Sequence, residues 1–243
     1  MKYRFLFFLG LVFLLAAALP MSAGPIYYEL LLNNDGAIHD VYIPDPLTVP
    51  AGYQSTLDPV SGLGSLRAVI SGAGDHFFVF YIDLELGNEY GSPSNDETGT
   101  GSITNSPGMP LISGQIDDAF SGTIWPNANS NSLDNLNHAT TPMDVAMALA
   151  WSFTLDAGHK ADIRFHIDTQ LPVGIATNYL RQIQPPDPNM QPNPMPELNV
   201  YLWTTLDVVP LGDVPEIPEP GTLLLMGGGL AALLMGVSRR RAG

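Results

Sequence analysis

Val145-Ala146-Met147-Ala148-Leu149-Ala150-Trp151-Ser152-Phe153-Thr154-Leu155 is the stretch on which the fold turns. Large apolar residues hold the odd positions and small ones the even positions. A period of two is the signature of a strand, here with one bulky face and one slender face. The alanines make a helix capped by Asp144 the competing reading for 145–150. The alternation runs on unbroken into Trp151–Leu155, however, so the strand prevails. Asp156-Ala157-Gly158-His159 supplies a turn. The next strand sets Ala161, Ile163, Phe165 and Ile167 against Asp162, Arg164, His166 and Asp168. It reads as the hairpin partner of the first, half-buried with one wet side.

The same pattern extends upstream. Tyr27 to Leu32 and Ala37 to Ile43 flank Asn33-Asn34-Asp35-Gly36, which predicts a hairpin. Pro44, Pro46 and Pro50 then interrupt regular structure. Leu66, Ala68 and Ile70 alternate with Arg67, Val69 and Ser71. After the turn residues 71–75, His76 to Leu86 reads as the other member of a second pair. In that segment both faces are apolar through Ile82, which predicts a central strand covered on both sides. Its only acids, Asp83 and Glu85, share one face at what reads as a wet end. Residues 87–142 are rich in Gly, Ser, Asn and Thr, and short strands are expected near 111–117 and 120–125.

Downstream, six prolines between Pro185 and Pro196 predict a stiff, extended surface loop. Leu198 to Val209 gives a last strand carrying Tyr201 and Trp203. With no convincing helix in the body, residues 24–214 read as one all-β sandwich, jelly-roll-like.

Both ends differ from this body. Lys2 and Arg4 precede an apolar run, Phe5 to Leu19, and Met21-Ser22-Ala23 ends in a small residue. Residues 1–23 therefore read as a signal peptide removed by signal peptidase, with cleavage after Ala18 and an uncleaved anchor as the alternatives. At the other end, residues 215–243 hold Pro218-Glu219-Pro220, then no charge from Thr222 to Ser238, then Arg239, Arg240 and Arg241. The two prolines hold Ile217 and Glu219 extended. The uncharged run is predicted to be a transmembrane helix of roughly 26 Å, just under a typical hydrocarbon core. Gly228, Ala232 and Gly236 would form one small-residue stripe along it. The arginines stop transfer and stay cytoplasmic, leaving the body on the far side of the membrane.

In order and spacing, this tail resembles the PEP-CTERM sorting signal of exported bacterial proteins. Pro218, Glu219, Pro220, the apolar run and the terminal arginines carry the resemblance. The resemblance implies recognition and cleavage by a membrane protease of the exosortase type, with release of the body to the cell surface or extracellular matrix. Such a tail anchors the precursor in the membrane and is absent from the mature protein, as in lipid-anchor signals. More loosely, Leu133-Asp134-Asn135, the Asp144–Leu155 run and Tyr179-Leu180-Arg181-Gln182 are similar to β-rich ectodomains that precede such tails. No activity attaches to that likeness, and the six-proline run departs from it.

Charge narrows the partners. Between Gly24 and Pro215 there are four basic and 22 acidic side chains, a net of −18. Such a surface repels phosphate backbones, so nucleic acid is not an expected partner. The chain has no cysteine, which excludes disulfide staples and thiol chemistry. No nucleophile elbow, zincin helix or phosphate loop occurs. The pair Asp83 and Glu85 has the chemistry of a glycosidase dyad, but two acids at the wet end of a strand read as solvated. His39, His76, His138, His159 and His166 lack metal-ligand spacing, and His166 reads as a surface residue. Calcium could find oxygen ligands in Asn95-Asp96-Glu97, in Asp117-Asp118 or near Asp134, with no site assigned. No other cofactor is implied. The expectation is an exported, non-catalytic structural or adhesive protein. The alternative is a domain that binds or cleaves carbohydrate, extracellular polysaccharide included, with Trp125, Tyr201 or Trp203 stacking on sugar rings, although aromatics in strands usually belong to the core.

Overall fold

In the computed structural model β8 (Val145–Leu155) lies inside a five-stranded sheet. It is bonded on one side to β5 (Gly74–Leu86) and on the other to β7 (Leu111–Asp118). The model describes residues 24–42, 44–86, 96–186 and 196–211. The period of two is realised as expected. Val145, Met147, Leu149, Trp151, Phe153 and Leu155 all enter the core between two sheets. Ala146, Ala148 and Ala150 face the opposite way, into a second apolar layer.

The first sheet is completed by β1 (Pro25–Asn34) and β2 (Ala37–Tyr42), in the order β2-β1-β5-β8-β7. The hairpin between β1 and β2 closes on Asp35 and Gly36, both at positive φ (50° and 87°). Such a turn requires left-handed backbone at both central residues, which Asp tolerates and Gly adopts freely. Facing this sheet is a six-stranded one in the order β3-β4-β9-β11-β10-β6. It comprises β3 (Gln54–Ser55), β4 (Gly64–Ser71), β6 (Thr98–Ser102), β9 (His159–Asp168), β10 (Tyr179–Gln184) and β11 (Leu198–Pro210). Every strand pairing within both sheets is antiparallel, giving an all-β sandwich.

Two expected hairpins are corrected. β4 and β5 do not pair, and neither do β8 and β9; each connection instead carries the chain from one sheet to the other. β5 pairs with β1 and β8, and β9 with β4 and β11. Alternation decides which side chains face the core, but a hairpin and a crossing between sheets meet that demand equally well. The crossing brings Phe80 of β5 onto Phe165 of β9 in a stacked pair, ring centroids 5.0 Å apart. Phe78 lies 5.6 Å from the same ring. These contacts join the sheets through the centre of the core.

A third correction concerns residues 120–125. In place of a strand there is a turn and then a six-residue helix, α1 (Ile124–Asn129). Asp117 organises its start by accepting hydrogen bonds from the Thr123 backbone N–H (2.8 Å) and hydroxyl (3.0 Å). Pro126 falls in the first turn, where no intrahelical N–H is needed. A helix this short has little stability of its own. Its Ile124 and Ala128 are buried against Leu31, Val79, Tyr81 and the three alanines of β8. The small residues of β8 thus make room for the helix. Ala148→Leu is expected to lower the unfolding free energy, read by urea denaturation, by about 1–3 kcal/mol through overpacking beneath α1. A neutral result would mean that α1 does not rest on this strand.

Candidate functional site

Strand parity decides what the second sheet shows to solvent. Ala161, Ile163, Phe165 and Ile167 of β9 point into the core, so Lys160, Asp162, Arg164, His166 and Asp168 point out. On β11 the outward residues include Tyr201, Trp203, Thr205 and Asp207; on β10 they are Tyr179, Arg181 and Ile183; on β4 they include Ser65, Arg67 and Val69. The register aligns them into rows that cross the strands. One row reads Ser65, His166, Trp203, Tyr179, Ser102. The next reads Asp168, Tyr201, Arg181, Thr100. On the other side of the aromatic row stand Arg67, Arg164 and Thr205.

The rings in these rows are ordered against one another. His166 stacks on Trp203 at 5.1 Å with 11° between the planes. Tyr179 lies 6.3 Å from Tyr201, and the Arg181 guanidinium sits 5.6 Å over the Tyr201 ring. Trp203 is the floor of the group, only 7 % exposed. A depression of about 410 Å³ opens beside it, lined in part by Ser65, His166 and Asp168. Trp125 and Trp151 donate their indole N–H to Glu29 and Thr204. That of Trp203 has no acceptor among the described residues. Burial, then Arg164, pushes the His166 imidazole below its usual value, so it is neutral at neutral pH.

All four basic residues between Gly24 and Pro215, namely Arg67, Lys160, Arg164 and Arg181, lie on this one face. Arg67 holds Asp162 through two nitrogens (2.8 and 2.5 Å), and Arg181 reaches Glu197 at 3.2 Å. With Asp168 and Asp207 also present, the face is close to neutral. The excess negative charge of the body therefore lies elsewhere.

Several acidic side chains cluster on the first sheet, where burial favours their protonated forms. Asp83, expected at a wet strand end, is instead 3 % exposed. Asp83 sits on an inner strand of the sheet, paired on one side with Glu29 of β1 and on the other with Ala146 of β8. Asp83 Oδ1 and Asp144 Oδ1 are both buried without a hydrogen-bond partner. Burial, then Asp144, Glu85, Glu97 and Glu29, push the Asp83 carboxyl well above the carboxylate range. Asp144 rises from 3.8 to about 7, through burial and then Glu85 and Asp118. Glu29 is raised chiefly by burial, and its carboxylate accepts from Trp125 (2.9 Å) and Tyr81 (3.2 Å). A carboxyl sealed as Asp83 is does not reach a glycosidic bond, so Asp83 and Glu85 do not make an open hydrolytic dyad.

The raised carboxyls have a consequence for stability. A group that keeps its proton in the folded state after the unfolded chain has lost it makes stability fall as pH rises, for Asp144 between about pH 4 and 7. His76, raised by Asp35, and His138, raised by Asp134, act in the same direction. Their contribution is complete below the unfolded value and disappears as pH passes the folded one. Asp144→Asn is therefore expected to leave stability unchanged near pH 4 and to raise it at pH 8 by about 1–2 kcal/mol, allowing for solvent screening. Thermal melts across this range check it; an equal effect at both pH values would count against a titrating Asp144.

The remaining sequence-selected residues are structural. Glu97 is fully buried and ties backbone groups together, and Asp117 organises the start of α1. Asp118 accepts from the Phe120 and Ser121 N–H groups, and Asp134 from the Leu136 N–H and His138. Asn95 lies outside the described residues. Among the described residues no three acidic or histidine side chains are placed to hold a metal ion. His39 meets the Thr48 carbonyl, and His159 Nδ1 is buried without a partner. Trp125 belongs to α1 itself and is partly buried against the apolar layer beneath that helix. Trp203 is buried, as expected of a strand aromatic, although its strand position faces away from the space between the sheets, whereas Tyr201 is only half-buried on that outer face. Tyr179 and Arg181 had not been read as site residues at all; the outward position of Tyr179 becomes visible only once β10 is placed beside β11.

The signal-peptide segment, Pro218, Glu219, Pro220, the apolar run and Arg239, Arg240 and Arg241 all lie outside the described residues. Among the described residues no helix is long and apolar enough to cross a membrane. Residues 216–241 match the model of the PEP-CTERM protein-sorting motif. The chain thus carries that motif, which implies an exported protein processed by an exosortase. No curated protein and no solved structure matches the chain.

Proposed function

We propose that this is an exported protein of the cell surface or extracellular matrix, whose sandwich acts as a structural or adhesive element without catalysis. The observation that carries the reading is the sorting motif at residues 216–241. The physical chemistry of the two ends supports it. The N-terminal signal directs the chain to export and is removed by signal peptidase. The apolar run holds the precursor in the membrane while Arg239, Arg240 and Arg241 stay on the cytoplasmic side. Pro218-Glu219-Pro220 then offers the exosortase its recognition segment, and cleavage frees the body, residues 24 to about 217. The acidity of that body suits a solvated particle and disfavours nucleic acid.

A second reading, carbohydrate recognition, is favoured by one specific observation: aromatic rings and hydrogen-bonding groups are lined up on the outer face of the second sheet. Burial of Asp83 turns this reading toward binding and away from cleavage. Cell fractionation tests the main proposal. The body is expected in the surface or matrix fraction, accessible to added protease in intact cells. Accumulation in the cytosol would overturn it.

A further inference from the structure

We propose that the outer face of the second sheet binds a neutral polysaccharide, laid across strands β9, β11, β10 and β6, with sugar rings seated on His166, Tyr201 and Tyr179. The inference rests on the adhesive reading of the body and names the partner that the adhesion would engage.

Three features carry it. First, the rings form rows perpendicular to the strands and not one isolated aromatic. His166, Trp203 and Tyr179 are consecutive cross-strand neighbours, and Tyr201 stands in the next row. From Ser65 on β4 to Ser102 on β6 the row crosses four inter-strand gaps, roughly 19 Å, the width of several sugar rings. Second, the groups flanking the rings are those that recognise hydroxyls. Asp168, Thr100 and Ser102 offer hydroxyl or carboxylate oxygens, and the Trp203 indole N–H is a donor with no acceptor among the described residues. An apolar surface with a few placed polar groups is the usual make-up of a small-ligand site, and pyranose rings present an apolar C–H face and a polar rim that match it. Third, the charge is right. The body has 18 more acids than bases, yet its four cations are gathered here and offset by Asp162, Asp168, Asp207 and Glu197. A locally neutral, ring-bearing face on an acidic particle suits an uncharged polymer better than an anionic one.

The rings are also preorganised. The stacking of His166 on Trp203 and of the Arg181 guanidinium over Tyr201 fixes their planes before any ligand arrives. Asn199 Oδ1 accepts from Arg181 at 2.9 and 2.6 Å and holds that guanidinium in place. Less conformational entropy is then lost on binding.

Native gel electrophoresis tests the proposal, using the full-length chain in detergent and gels cast with laminarin, xylan, galactomannan, hydroxyethyl cellulose or alginate. The expected result is retardation by at least one of the four neutral polymers, persisting in about 0.5 M salt, where ionic attraction between exposed charges is screened. Y179A/Y201A should weaken that binding roughly tenfold or more, with circular dichroism and melting temperature unchanged. Should the double variant unfold, Y179L/Y201L keeps apolar bulk while removing the rings, and the same loss is expected. The proposal is overturned by mobility indifferent to every neutral polymer, by retardation in alginate alone that salt abolishes, or by undiminished binding in the folded variants. Concentration-dependent self-association that the same substitutions abolish would also overturn it, assigning the face to a second copy. None of these outcomes bears on where the chain travels, so a failure here and a failure of the sorting proposal are told apart by the fractionation experiment.

Discussion

Glu97→Ala is expected to lower the unfolding free energy by about 3–5 kcal/mol, because it removes the acceptor shared by three donors in a sealed network. The Glu97 side chain is fully buried. One oxygen accepts from the Leu86 N–H at the end of β5 (3.0 Å). The other accepts from the Val145 N–H at the start of β8 (3.2 Å) and from Gln182 Nε2 of β10 (2.6 Å). Gln182 in turn reaches the Leu84 carbonyl at 2.6 Å. One carboxylate thus fastens two strands of the first sheet to an inner position of the second. Truncation leaves two backbone donors without partners in a place water does not enter. Glu97→Gln keeps the shape and one acceptor, so it is expected to cost less than the alanine. Chemical denaturation reads both. A loss below about 1 kcal/mol for alanine would mean that solvent reaches these donors.

The second large effect lies in the tail. Glu219→Gln is expected to leave most of the chain as a membrane-bound precursor and to remove most of the body from the surface fraction. The reasoning is chemical. In Pro218-Glu219-Pro220 the prolines offer no backbone donor, so the tripeptide cannot be read through its N–H groups alone, and Glu219 is its one charged side chain. Glu216, three residues earlier, is the control: it carries the same charge outside the tripeptide, and Glu216→Gln should be processed normally. Replacing Arg239, Arg240 and Arg241 by serine should disturb retention and orientation rather than recognition. Immunoblots of membrane and surface fractions separate these outcomes. Normal release of the Glu219→Gln chain would show that the protease reads something other than this carboxylate.

Much of the sandwich was legible, and the parts that were not share physical reasons. The alternation of β8 and β9 and the Asp35-Gly36 turn were visible because each is a local rule obeyed by adjacent residues. The double-sided burial of β5 was likewise legible from its unbroken apolar run. Whether β8 and β9 pair side by side or face each other across the core is a tertiary choice, and periodicity is blind to it. β6 escaped notice because its inward positions are Gly99 and Gly101. A Cβ at Gly101 would lie 2.7 Å from Leu180 Cδ2, and one at Gly99 would collide with Ile116, so the apolar side of that strand is supplied by its neighbours. β10 was hidden by an inverted pattern, with Gln182 and Gln184 inside and Tyr179 and Ile183 outside. Its inner glutamine serves Glu97, a contact 85 residues away that no local window contains. Asp83 was misjudged for a similar reason. It lies between β1 and β8, paired with Glu29 and Ala146, and those neighbours are not visible in its own stretch of sequence. The outer aromatic rows needed the register of four strands before they could be seen as rows.

The central claim is that the chain is exported and loses both ends on the way. Intact-mass measurement on protein recovered from the cell surface or medium tests this directly, because it reads both termini at once. The account predicts a mass lacking residues 1–23 and everything beyond the cleavage point near Pro218-Glu219-Pro220. A surface protein with the mass of the complete chain, its apolar run and terminal arginines still attached, would contradict it.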